Sequence, residues 1–201
     1  MTSEEAKKII ETLLFVSEKP LSLERIKEIL EVFEKDTIST LIEELKNEYQ
    51  QNNRTFTVEE VGGGYRLATD SFYGPWIRKL FKMDRRDRLT MPSMETLSII
   101  AYKQPITKPE IEAIRGVNVD GVLKNLLERN LTRITGRKEI MGRPFLYGTT
   151  REFLIHFGLN SLEDLPGLKE FSEEEIELGK KQLIDIEKEK QNETQNLTQK
   201  D

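Results

Sequence analysis

The side chains best suited to covalent or acid–base chemistry are few and poorly placed. The 201 residues include one histidine and no cysteine, which leaves no credible nitrogen or sulfur metal site and no thiol nucleophile. His156 follows Phe153, Leu154 and Ile155 in a short helical pattern with no placed nucleophile beside it, so it reads as a half-exposed helix residue. The carboxylate pairs Glu43-Glu44 and Glu59-Glu60 fall on predicted solvated faces rather than in an apolar pocket that would shift a pKa. The run Gly62-Gly63-Gly64 invites a phosphate-loop reading, but no Gly-Lys-Ser/Thr follows it and it opens a strand instead of a helix. The cations Arg133, Arg137, Lys138 and Arg143 cluster in a loop that could touch phosphates. These residue types predict no enzyme, no cofactor and no metal; they predict recognition of polypeptide or nucleic acid.

The elements that must position such a surface occur twice. Glu11-Thr12-Leu13-Leu14-Phe15-Val16 followed by Pro20-Leu21-Ser22-Leu23-Glu24-Arg25-Ile26 superposes, with one inserted residue, on Glu95-Thr96-Leu97-Ser98-Ile99-Ile100 followed by Pro105-Ile106-Thr107-Lys108-Pro109-Glu110-Ile111. In each copy an apolar helix ends at proline and a capped second helix begins. Ser22 caps the first, with Leu21 and Ile26 as a hydrophobic staple; Thr107 and Glu110 have capping-box spacing, with Ile106 and Ile111 as the staple. Third helices carry apolar stripes at Ile38, Leu41, Ile42 and Leu45, and at Val119, Val122, Leu123, Leu126 and Leu127. Period-two runs then predict hairpins: Phe56 to Val61 with Tyr65 to Ala68 around the glycine turn, and Leu131 to Thr135 with Pro144 to Tyr147 around a basic loop. Three helices and a hairpin, repeated, predict a mainly α fold with small β-hairpins, an α+β chain of tandem winged helix-turn-helix domains.

Composition and charge divide this chain further. Residues 1–70 form the first winged domain, a dimerisation module in this reading, with net charge −6; 71–92 a basic, aromatic connector helix, +4; 93–166 the second winged domain, with 93–150 at +3. Residues 167–201 are an acidic, flexible tail by composition, and 151–201 carry −6. Within the tail, Ile176, Leu183, Ile184 and Ile186 suit a weak amphipathic helix. Without cysteine or an apolar run long enough to span a bilayer, the expectation is a cytoplasmic protein with no membrane contact.

A winged helix ordinarily sends its third helix into the DNA major groove, which requires outward cations and amides. In the first copy that face reads Ser39, Thr40, Glu43, Glu44, Asn47 and Glu48, which phosphates would repel. In the second, Asp120 and Glu128 offset Lys124, Asn125 and Arg129, so direct DNA contact is at most weak. Within the connector, Phe72, Tyr73, Trp76, Ile77, Leu80 and Phe81 fall at helical spacings. They either pack on their own domain or form a homodimer or interdomain seam, for which Phe72, Trp76, Leu80 and Phe81 are the candidates.

Glu95 to Thr107, Ile114-Arg115-Gly116-Val117, Asp120-Gly121-Val122-Leu123, Gly142-Arg143-Pro144-Phe145-Leu146-Tyr147, Phe153-Leu154, Phe157-Gly158-Leu159 and Asp164-Leu165-Pro166 together resemble the bacterial segregation and condensation protein B family. The match is dense over 93–166 and collinear but looser over 5–92. Two positions depart from the family pattern: Asn130 stands where glycine is expected after the third helix, and Thr132 where an apolar strand residue is expected. The resemblance implies a non-enzymatic, homodimeric condensin subunit that binds the kleisin, segregation and condensation protein A, and through it Smc at the nucleoid. Under that implication, Tyr102, Lys103, Arg137, Arg143, Phe145 and Tyr147 are the candidate kleisin-binding residues, by helix-in-groove docking or by strand addition to the wing. The alternative is a winged-helix DNA-binding transcriptional regulator, which would show steep salt dependence.

Overall fold

A computed structural model describes residues 1–81 and 89–167. The connector cations Lys82, Arg85, Arg86 and Arg88 and nearly all of the acidic tail, with its expected amphipathic helix, lie outside the described residues.

The first cassette runs α1 (Ser3–Val16), α2 (Leu23–Leu30), α3 (Lys35–Gln51), β1 (Phe56–Val61) and β2 (Gly64–Thr69). Ser22 Oγ accepts from Arg25 N at 3.2 Å and starts α2 as its cap. The α3 stripe of Ile38, Leu41, Ile42 and Leu45 is buried against Ala6, Ile10 and Leu14 of α1 and Ile26 and Leu30 of α2. At roughly 1.5–3 kcal/mol per fully buried large aliphatic side chain, this stripe dominates the local energetics. Lys7 is also buried there. Its ammonium reaches Glu48 at 2.6 Å, Glu4 at 2.9 Å and Glu44 at 3.4 Å, ties α1 to α3, and is held charged above the usual lysine range, chiefly by the Glu48 hydrogen bond.

The second cassette repeats the plan in α5 (Met91–Lys103), β3 (Ile106–Thr107), α6 (Lys108–Arg115), α7 (Asp120–Glu128), β4 (Thr132–Arg137) and β5 (Phe145–Thr149), followed by α8 (Arg151–Phe157). Between the cassettes a 3₁₀ turn, Ser71–Tyr73, leads into α4 (Gly74–Leu80). Strands β1 and β2 form an antiparallel pair, while β3, β5 and β4 form a three-stranded sheet with β5 in the middle. The short β3 was not evident from alternation, because two residues are too few to show a period. It has a counterpart in the first cassette, the single bridge Leu21↔Tyr65, which matches Ile106↔Tyr147. In both copies the residue after the proline pairs with a buried tyrosine of the hairpin, and so closes the link between the first two helices onto the wing. Among the described residues, both cassettes fall in one compact unit, Met1–Leu162.

One of the two departures from the family pattern has a local explanation. Asn130 adopts φ 55°, a left-handed conformation that asparagine reaches more easily than other non-glycine residues. Thr132 is buried, with no hydrogen-bond partner for its Oγ1 among the described residues. Gly116, in the left-handed region at φ 71°, ends α6, and the neighbouring Arg115 guanidinium bonds Glu95 of α5.

The α6 start is reinforced from the wing. Glu110 accepts from Thr107 N at 2.9 Å and from Thr107 Oγ1 at 2.7 Å, and Lys138 Nζ reaches its other oxygen at 2.5 Å. Lys138 first, then Thr107, hold the Glu110 carboxyl down to about 2 from its ordinary 4.5. A carboxyl depressed on folding contributes stability above its ordinary value and loses it as pH falls toward the folded value. Thermal melts of wild type and Glu110→Gln are therefore expected to differ most above about pH 4.5 and to converge toward about pH 2. A gap that is unchanged across that window would contradict this role.

Candidate protein-docking surfaces

Apolar side chains that the fold leaves uncovered gather at three places. The first is α4 and the turn before it. Phe72, Trp76, Leu80 and Phe81 are 68%, 58%, 76% and 68% exposed, so the helix does not bury this face on its own domain. Glycine and proline start α4 and its periodicity aligns the rings. Phe72 stacks on Tyr73 and Trp76 at 5.2 and 5.8 Å between centroids, which gives a continuous aromatic ridge beside Arg78 and Lys79.

The second place is the wing of the second cassette. Arg137 and Phe145 are cross-strand partners, and the guanidinium carbon lies 4.0 Å from the ring centroid. Arg137 also donates to the Arg143 carbonyl at 3.0 Å, and Arg143 pairs with Glu139 at 3.0 Å. The wing turn adds exposed Ile140 and Met141, and Ile134 is exposed on β4. Since β5 is central, β4 and the two-residue β3 are the edge strands of this sheet. Tyr147 departs from expectation. It shares the alternation of Phe145 but is only 9% exposed, because β3 and β4 flank it at Ile106 and Ile134 and α-helical core lies beneath. It packs into the domain. Its register equivalence to Tyr65 was the sequence signal that could have revealed this.

The third place is a shallow groove lined by Lys103, Pro105, Ile106, Glu110, Ala113 and Ile114. Lys103 comes from the end of α5, and Ile114, half exposed, from α6. Tyr102 lies beside Lys103 at the surface. The Lys138–Glu110 contact joins this groove to the wing, so the six expected kleisin residues occupy two neighbouring patches plus one core position rather than a single pocket. Ile114, Ile140 and Met141 were not singled out as binding residues from sequence, since lone apolar residues in loops and helix ends carry no periodic signature. The first cassette adds Phe15, Val16 and Val32, exposed at the ends of α1 and α2.

The helices that would read DNA are net negative, −2 over α3 and −1 over α7. On α3, Glu43 pairs with Lys46, while Glu44 and Glu48 engage Lys7. On α7, Asp120 meets Lys108 and Lys124 faces Glu128 at 3.8 Å. His156 is exposed and makes an edge contact with Phe157 at 5.0 Å between ring centroids. Among the described residues, no group of histidines and carboxylates is arranged to hold a metal ion, and no helix is long and apolar enough to cross a membrane.

Comparison with known proteins adds an independent line. A family model described as segregation and condensation complex subunit ScpB matches residues 8–168. Segregation and condensation protein B of Syntrophotalea carbinolica is 44% identical over 173 residues, covering 86% of this chain and 87% of that one. The protein of the same name from Clostridium perfringens strain SM101 is 46% identical over 173 residues, covering 85% and 87%. The crystal structure of a dimer of the ScpB N-terminal domain complexed with ScpA peptide is 37% identical, covers 38% of this chain and 95% of that one, and has a TM-score of 0.35.

The pairing of cations on both third helices has a measurable consequence. Fluorescent duplex DNA titrated at about 50 and about 200 mM salt is expected to bind no tighter than the non-specific range, roughly 10⁻⁶ M, at either concentration. Nanomolar binding at the lower concentration that falls steeply at the higher would restore a DNA-binding role.

Proposed function

We propose, from the premise that this chain belongs to the segregation and condensation complex subunit ScpB family, that it is a non-enzymatic adaptor of the bacterial condensin. It self-associates into a homodimer, binds the kleisin, segregation and condensation protein A, and through it supports Smc in chromosome condensation and segregation at the nucleoid. The observation that carries this reading is the coexistence of large uncovered aromatic and aliphatic faces with third helices whose charges are largely neutralised. Such faces are costly to leave in water and suit polypeptide partners, whose anchors are commonly aromatic.

Two of the three surfaces suit the kleisin. The groove at Lys103, Ile106 and Ile114 offers an apolar floor with a cation at its rim, suited to the apolar face of a helix. The adjoining wing offers the free β4 edge and the Arg137–Phe145 stack, suited to an added strand or an aromatic anchor. Tyr102, Lys103, Arg137, Arg143 and Phe145 therefore stand as proposed contact residues, with Ile114 added and Tyr147 assigned to the core. The α4 ridge of Phe72, Trp76, Leu80 and Phe81 is the proposed self-association seam. Dimerisation would raise the effective concentration of a second kleisin contact after the first.

Calorimetric titration of purified segregation and condensation protein A into this protein tests the reading directly. Binding is expected, with Phe145→Ala and Ile114→Glu each weakening it by about tenfold or more, as loss of an interface anchor does. No binding by the wild-type pair would overturn the adaptor reading. In sedimentation, Trp76→Ala is expected to shift the protein toward monomer at concentrations where the wild type is dimeric; an unchanged dimer would remove α4 from the seam.

A further inference from the structure

The exposed tip of a winged-helix hairpin is ordinarily free to move, but the glycine turn of the first wing is engaged by the second half of the molecule. Gly62 N donates to the Leu159 carbonyl at 2.9 Å, and Gly63 N donates to Asn160 Oδ1 at 2.8 Å. Arg151, the first residue of α8, closes the contact: its Nε donates to the Gly62 carbonyl at 2.6 Å and its Nη2 to the Pro20 carbonyl at 3.1 Å. One planar guanidinium thus spans the wing and the link before α2. Asn160 Nδ2 donates back to Glu60 at 2.9 Å, and Gly158, left-handed at φ 69°, ends α8 just before Leu159 and Asn160.

The three glycines are not equivalent. A Cβ at Gly62 would lie 2.9 Å from Ile155 Cγ1, and one at Gly64 would lie 2.8 Å from the Leu21 carbonyl and 3.0 Å from Arg151 Nη2. A Cβ at Gly63 would meet nothing within 4 Å. The φ values of Gly62 and Gly63, +59° and +69°, are both in the left-handed region, so the turn alone needs glycine at both, but only Gly62 is also required by close approach of the other half.

We propose that the Gly62-Gly63 turn and Arg151 form an interdomain latch, which holds the two winged cassettes in one arrangement and so sets which of their outward faces are presented together. Opening it would free the first wing from the second cassette.

The absence of cysteine makes the test direct. Asn47→Cys on α3 and Asn125→Cys on α7 introduce two exposed labelling sites, one in each cassette. The doubly spin-labelled full chain, diluted with unlabelled chain to suppress contacts between copies, is measured by pulsed electron resonance. The expected result is one narrow distance distribution that broadens in Arg151→Ala, and likewise in Arg151→Gln. Gly62→Ala should broaden it too, whereas Gly63→Ala, with the same backbone strain but no steric clash, should leave it narrow. Circular dichroism is expected to show full helicity in all four variants, and a variant that loses it is set aside in favour of the other member of its pair. A broad distribution in the parent, an unchanged width in both Arg151 variants, or equal broadening by Gly62→Ala and Gly63→Ala would overturn the latch.

Discussion

Both halves of this protein depend on one closure. A chain segment between the first two helices pairs, through a single backbone bridge or a two-residue strand, with a buried hairpin tyrosine: Leu21 with Tyr65, and Ile106 with Tyr147. A small three-helix module has little interior, and a hairpin by itself is marginal in water. Joining them lets one tyrosine cap the helical core and gives the hairpin a fixed seat. The caps at Ser22 and Thr107 then follow immediately, so the entry angle of each second helix is set at the point where the sheet begins.

That closure explains why the third helices are free to lose their DNA-reading character. Their apolar stripes are committed to the core, while their outward charges serve the fold: Glu44 and Glu48 hold Lys7, and Asp120 holds Lys108. Positive charge is displaced to the second wing and the connector, where Arg137 covers Phe145 and Arg78 and Lys79 flank the α4 ridge. Aromatics bordered by cations are well suited to polypeptide with acidic and apolar side chains, and much less to a duplex read by base edges. The groove at Ile114, the wing and the α4 ridge are the surfaces proposed above for protein partners.

Much of this was legible in the residues. The two cassettes, their caps, the third-helix stripes and both hairpins follow from periodicity and turn chemistry, because each is decided within a few residues along the chain. Gly116 as a helix terminator and Asn130 in a left-handed turn belong to the same local class. Less legible was β3, too short to show alternation, and the fate of Tyr147. Alternation placed Tyr147 beside Phe145 on a face, but which end of that face is covered depends on β3 and β4 arriving on either side.

By itself, the sequence determined the repeated architecture, the acidic face of α3 and the family resemblance, all carried by local order and by residue type. The tertiary structure alone decided that the α4 aromatics stay uncovered, that Lys103 and Ile114 share a groove reached through Lys138 and Glu110, and that Gly62 and Gly63 meet Arg151 and Asn160. These partners stand 28 to 97 residues apart in the hydrogen bonds that join them. No periodicity links such positions; they meet only after two cores have formed and brought their surfaces together.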